Sequence, residues 1–181
     1  QEEIIVADAG GNVDTVVVNA SDATLSGAEL EISAALYEGL TGYMQGGYLD
    51  AEYDEFRTDV PGLPTDASGL EMRNSPEFTY GAGLNYVHPV FQHSEMSYDV
   101  TYNWRDDYLT IFDNDPIGEV DAAGFWNANI DLLYKEMLTV SIFGRNLGDE
   151  RFNRTVAIPP ISTFSQWNEP RNYGVTVTYE F

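Results

Sequence analysis

Four charged residues fall where a solute in contact with a sheet would meet them. Arg105 closes one run of alternating apolar and polar residues and Arg145 another, while Asp99 and Asp131 sit inside two such runs on the polar phase. Side chains of an extended strand alternate between its faces, so all four are expected on the polar face. Guanidinium groups there suit an anionic or sugar-like ligand, or ion pairs with neighbouring carboxylates. The acids sharing that phase, Glu29, Glu31 and Glu180 among them, favour the ion pairs. A denser acidic stretch holds Asp106, Asp107, Asp113, Asp115, Glu119 and Asp121. Oxygen clusters of this kind can hold calcium, but Ile117 and Gly124 stand where a helix-loop-helix calcium site needs ligands. A solvated acidic loop is the expectation. His88 and His93 flank a turn without a third ligand, so no metal site is expected. No Gly-x-Ser-x-Gly elbow and no phosphate-cradling loop occur, and no enzyme activity or cofactor is expected.

Composition narrows the classes further. The chain has 181 residues, enough for one domain and short for two. Thirty acidic residues against eight basic ones leave a formal charge of −22. Nucleic acid is excluded as a partner, because nothing basic is available to neutralise phosphates. There is no cysteine, hence no disulfide framework and no thiol chemistry. No apolar run reaches the ~20 residues of a membrane helix. The mean hydropathy of −0.28 looks soluble, yet membrane β-barrels share it, since half of each strand is polar. The chain opens on Gln1-Glu2-Glu3, as a mature form or a segment would.

The elements that must position the charged residues follow from a period of 2. From Met96 to Arg105 every even position is large and apolar and every odd one polar. Phe78–Tyr86, Trp126–Leu132, Tyr173–Phe181 and Ala28–Ala34 repeat the pattern. The spacing predicts eight strands near 2–8, 14–36, 40–56, 77–88, 94–108, 124–134, 137–148 and 171–181. Short turns alternate with longer loops near 57–76, 109–123 and 149–170, a tight Ala9–Asn12 turn aside. That is the layout of an outer-membrane barrel, and it places both termini on the short-turn, periplasmic side. Aromatics mark both ends of the apolar face. Tyr86, Tyr98, Tyr134, Tyr179 and Phe181 form one row, and Phe78, Trp104, Trp126 and Tyr173 the other. A soluble two-sheet sandwich is the competing architecture, but it would place its aromatics mid-strand.

Four segments resemble one family. Asn19-Ala20-Ser21 leading into Gly27-Ala28-Glu29-Leu30-Glu31, Gly47–Phe56, Phe143-Gly144-Arg145-Asn146-Leu147-Gly148-Asp149 and Pro170–Gly174 before the terminal Phe181 are similar to strands of TonB-dependent receptor barrels, in the family's order. Nothing here resembles that family's plug domain or TonB-binding segment, and the likeness is to the last third or so of its barrel. The resemblance implies the outer membrane of a Gram-negative bacterium, with outer-membrane lipid and lipopolysaccharide around the wall. It also implies TonB acting through a plug and the rest of a receptor barrel. The ending Tyr179-Glu180-Phe181 resembles the signal read by the barrel-assembly machinery, although Gly174 lies further back than the usual glycine. Divalent ions bridging the acidic loop to lipopolysaccharide are a further hypothesis.

The expected fold is therefore all-β: residues 1–181 form a single antiparallel transmembrane β-barrel domain or barrel segment of about eight strands, either a closed small barrel or part of a larger one. A narrow, dry lumen would have to bury surplus carboxylates, which favours the larger, hydrated barrel. The expected function is the wall and outer loops of a solute uptake channel, with Arg105, Arg145, Asp99 and Asp131 as candidate ligand contacts. A stand-alone barrel with a structural or adhesive role is the alternative. A lipid-modifying enzyme would need a His/Ser/Asp cluster that is not visible.

Overall fold

The computed structural model describes residues 2–7, 13–19, 22–59, 65–111, 115–157 and 164–181. Strands β1 (Glu2–Ala7) and β2 (Val13–Val18) form a hairpin. Then come β3 (Asp22–Tyr37), β4 (Leu40–Glu55), β5 (Phe78–Phe91), β6 (Ser94–Arg105), β7 (Tyr108–Leu109), a 3-10 turn (Pro116–Gly118), β8 (Glu119–Val120), β9 (Ala123–Tyr134), β10 (Leu138–Arg145), β11 (Asn153–Ala157), β12 (Phe164–Trp167) and β13 (Asn172–Tyr179). The seven long strands make one antiparallel sheet in the order β13-β10-β9-β6-β5-β4-β3, and the short ones pair β7 with β8 and β11 with β12.

Register carries the alternation across the whole sheet. Ile32, Met44, Ala82, Tyr102 and Trp126 stand side by side on neighbouring strands, and Ala34, Gly42, Leu84, Val100, Ala128 and Gly144 form the next row. The opposite face carries Glu31, Gln45, Gly81, Asn103 and Phe125 in one row and Ser97, Asp131, Ser141 and Thr176 in another. A one-residue slip would turn every apolar side chain to the polar side, so this pattern fixes the register.

Among the described residues no second layer covers the apolar face. Among the described residues the buried hydrophobic side chains are Ala51, Tyr53, Phe56, Ala67, Val120 and Ala123, all near the long-loop end. On the sheet itself Val175 and Val177 are each 64% exposed. A soluble sandwich would bury such a face against another sheet, and that architecture is not formed. The rings complete the picture. Tyr48–Phe78, Tyr80–Trp104 and Tyr102–Trp126 pair at centroid distances of 5.2, 4.8 and 4.8 Å towards the long loops. Tyr86, His88 and Tyr98 stack at the opposite end. Phe78 and Tyr86 are eight residues apart on β5, ~26 Å along the strand. At tilts of about 40° this projects to ~20 Å, near the height of an outer-membrane apolar band.

The short turns are tight. Gly39 takes φ +75°, His93 φ +61°, and Lys135 and Glu136 φ +54° and +56°. The second is tighter than the expected 88–93 connection, because β5 runs on to Phe91. There Pro89 pairs with Glu95 of β6, beyond the last β4–β5 pair at Leu40 and Tyr86, so its missing N–H faces no neighbour. His88 accordingly lies on the apolar face and not in a turn.

Two expectations fail. The single strand expected over 14–36 is divided, with its first part pairing to β1. The sheet thus has an odd number of strands. Its first residue, Asp22, pairs with Glu55 at the long-loop end, and β2 leads in from there. The N-terminal hairpin therefore belongs to the long-loop end and only the C-terminus to the short-turn end; the Ala9–Asn12 turn itself lies outside the described residues. The sheet is also open, since among the described residues β3 and β13 each pair on one side. A closed eight-stranded barrel is not formed.

Candidate functional site

Where the polar face meets the long loops, a cleft of about 670 Å³ opens. Its walls include Asn103 and Arg105 from β6, Phe125 and Asn127 from β9, Arg145 and Asn172 from β10 and β13, and Tyr108, Phe152, Arg154 and Asn168 from the loops. Three of the chain's eight basic residues thus share one concavity. Arg105 is half-buried, with its Cζ 4.5 Å from the Tyr108 ring centre and 4.9 Å from that of Phe152. Its Nη1 donates to the Asp106 carbonyl at 2.8 Å, while its buried Nη2 has no acceptor among the described residues. Arg145 lies 6.0 Å from the Phe143 ring centre. Among the described residues the ion pairs expected for these two arginines are not formed. Among the described residues no carboxylate lies in ion-pair range of Arg105, Arg145 or Arg154, because the wall's acids sit lower on the face or beyond the rim. Glu169 is the acid that lines the cleft.

Asp99 and Asp131 are elsewhere. Asp99 precedes Arg105 by six residues on β6, ~20 Å along the strand. It accepts a 3.5 Å bond from Tyr43 Oη. Asp131 accepts from Ser97 Oγ at 3.3 Å and from Asn129 Nδ2. The four candidates therefore share a face, but only the two arginines share the cleft.

The cleft's outer edge is held by a clamp. Asn146, 7% exposed and at φ +49°, directly follows β10. Its Nδ2 donates to the carbonyls of Glu150 at 2.9 Å and Glu169 at 3.1 Å, and its Oδ1 accepts from Glu150 N–H at 3.0 Å. Asn168 Nδ2 reaches the same two carbonyls. Asp149 accepts from Arg171 N–H at 2.9 Å and lies 3.3 Å from Arg151, and Arg171 Nη1 donates to the Leu147 carbonyl. These contacts hold the Asp149 carboxyl below the usual carboxylate range, the Arg171 N–H first among the causes. Arg151 and Arg171 thus steady the last long loop. The asparagines shape the cleft's edge in a way that strand periodicity does not reveal. Their one signal is an Asn just after a strand, and at Asn146 a residue tolerant of positive φ.

The acidic loop behaves as a folded acidic surface. Asp115 caps the 3-10 turn by accepting from Ile117 N–H at 2.9 Å. Among the described residues no group of metal-ligating side chains is assembled; Asp113 lies outside them.

A family model for the TonB dependent receptor-like β-barrel matches residues 2–147. The chain belongs to this family. Three solved structures share the fold of this TonB-dependent receptor barrel. The ferric yersiniabactin uptake receptor FyuA of Yersinia pestis superposes with a TM-score of 0.74 at 19% identity, covering 88% of this chain and 24% of FyuA. The siderophore receptor PiuA of Acinetobacter baumannii gives 0.68 at 17%, covering 97% and 24%. The ferric preacinetobactin receptor BauA of the same organism gives 0.63 at 18%, covering 99% and 25%. The chain spans about a quarter of the length of these receptors. Family barrels are outer-membrane proteins of Gram-negative bacteria and transporters rather than enzymes, and they work with TonB and a plug domain. The apolar face of the sheet is therefore its lipid face.

Proposed function

We propose that residues 1–181 act as one unit, the wall and outer loops of an outer-membrane uptake channel, and that the arginine cleft receives an anionic solute of the ferric-chelate class. Strands from elsewhere complete the barrel along both open edges, and a plug inside it links the wall to TonB. The observation that carries this reading is the cleft itself: Arg105, Arg145 and Arg154 converge there, and among the described residues no carboxylate lies in ion-pair range of them, in a chain of charge −22. Unpaired guanidinium groups beside amides and aromatic rings suit a bulky anion. The ferric ligands of FyuA and BauA supply the class. Asp99 and Asp131, lower on the same face, line the path below. Lipopolysaccharide meets the outer aromatic row, and Tyr179 and Phe181 present the assembly signal to the barrel-assembly machinery.

The test is binding of anionic and neutral ferric complexes by outer membranes of cells producing the protein. Each charge-assisted contact contributes about 1.5–3 kcal/mol, so R105Q with R145Q should weaken the anionic complexes by well over tenfold and leave the neutral ones unchanged. Equal loss for both, or no loss, refutes the reading. The stand-alone structural barrel gains no support from a sheet that stays open.

A further inference from the structure

We propose that Tyr108 is the positioning residue of the cleft, its ring fixing the Arg105 guanidinium at the wall while its strand joins the three outer loops into one cap. Four contacts converge on the two residues of β7. The Tyr108 ring lies 4.5 Å from Arg105 Cζ. Its hydroxyl donates to the Arg154 carbonyl at 2.6 Å, which reaches the loop between β10 and β13. The Leu109 carbonyl accepts from Asn74 N–H at 2.7 Å, which reaches the loop between β4 and β5. Tyr108 and Leu109 pair with Val120 and Glu119, the return strand of their own loop, and Val120 is fully buried. β11 packs in turn against β8 and the 3-10 turn.

The physical consequence lies at Arg105. A free arginine side chain has many rotamers. Here two rings pack close to the guanidinium carbon, and the Asp106 carbonyl accepts from Nη1. Nη2 is a buried donor that finds no acceptor among the described residues. Such a donor is costly to leave unsatisfied, and an anion in the cleft is what would satisfy it. The role of that donor rests on reading the cleft as an anion site; the positioning itself does not, and it is testable without any solute.

Phenylglyoxal modifies exposed guanidinium groups, and peptide mass spectrometry reports each arginine separately. In outer-membrane vesicles of cells producing the protein, Arg105 should react slowly and Arg145 and Arg154 quickly. Y108A should speed the Arg105 reaction about tenfold, the scale set by losing a partly desolvated cation–π contact, and should speed amide exchange at Asn74 and across 153–157. Y108F keeps the ring and loses the hydroxyl, so Arg105 should stay protected while exchange over 153–157 alone rises. F152L, which removes the second ring, should expose Arg105 without freeing Asn74. Three results overturn the proposal: unchanged Arg105 reactivity in Y108A, equal exposure in Y108F and Y108A, or exchange at Asn74 that ignores Y108A. If Y108A fails to assemble, judged by heat-modifiable migration, Y108F and F152L decide the matter. Failure of the anion reading would show separately, as ferric complexes that bind regardless of the arginines.

Discussion

Replacing Asn146 with alanine tests whether one side chain holds the last long loop shut. The substitution removes three hydrogen bonds. Two of them ended on the carbonyls of Glu150 and Glu169, which keep Asn168 Nδ2 as a donor. The third leaves Glu150 N–H without its acceptor, at a cost of about 1–3 kcal/mol. Alanine at φ +49° adds about 1 kcal/mol of backbone strain that asparagine bears more easily. The loop base should lose ~2–4 kcal/mol in all, or roughly 30- to 1,000-fold in its opening equilibrium. The membrane wall should be unaffected, because Asn146 lies beyond the end of β10. Trypsin provides the assay, since Arg151 and Arg154 lie within the loop and Arg57 in another serves as an internal control. Where opening is fast relative to cleavage, the cutting rate follows the open population. N146A should therefore be cut at 151 and 154 at least 30-fold faster, with Arg57 unchanged, and N146G should fall between N146A and the parent by the strain it avoids. Cleavage within threefold of the parent would refute the clamp, and N146G matching N146A would refute the strain component.

Other outcomes follow from the same geometry. Leu84→Arg places a charge on the lipid face and should lower stability in lipid by ~2–4 kcal/mol, whereas Thr101→Arg on the polar face should cost little; equal losses in urea titrations from bilayers would contradict the assignment of faces. At Gly174 an added Cβ would come within 2.7 Å of the Phe143 ring, so Gly174→Val should cost ~1–3 kcal/mol and Phe143→Ala in the same chain should recover part of it, read as refolding yield. Asp149 is held below its ordinary range in the folded loop, so its support is present above an unfolded value of ~3.9 and fades as pH falls through the lower folded value. Loop proteolysis by an acid-active protease should rise over that window, and D149N should already be loose at neutral pH with the pH dependence flattened.

Long strands were legible in the sequence because each exceeds the few residues needed to show a period of 2. Met96 to Arg105 alternates without a fault, and β6 occupies that span. The short strands inside the loops escape, since two residues, as in Tyr108–Leu109, have no period. Alternating loop length was misleading at one point. With 2–8 and 14–36 each read as a wall strand, the tight Ala9–Asn12 turn falls among the outer connections and the N-terminus on the periplasmic side, but among the described residues β1 and β2 pair only with each other. Residue phase put Arg105 and Arg145 on the polar face correctly; it could not give height along the strand, which separates Asp99 and Asp131 from them. Nor could it show that rings rather than carboxylates meet Arg105, because Phe152 is 47 residues away in the chain.

The two open edges bear most directly on how this sheet exists in a membrane. β3 is 16 residues long, and along a strand alternate residues point both backbone groups to the same side. About ten of its residues lie within the hydrocarbon, so about ten N–H and C=O groups on the open side would face lipid. Each unsatisfied group there costs several kcal/mol, and the sum far exceeds the 5–15 kcal/mol net stability of an ordinary domain. Side chains cannot meet that cost, since Leu30, Ile32 and Leu36 of β3 are aliphatic and point outward. β13 presents the same difficulty at the other edge over eight residues. Backbone from further strands is the remedy hydrocarbon permits. A wall of seven strands with a lipid face, a wet face and two edges unpaired among the described residues is therefore physically consistent only as an arc of a wider barrel, and in such an arc the wall's carboxylates need not share a narrow, dry lumen.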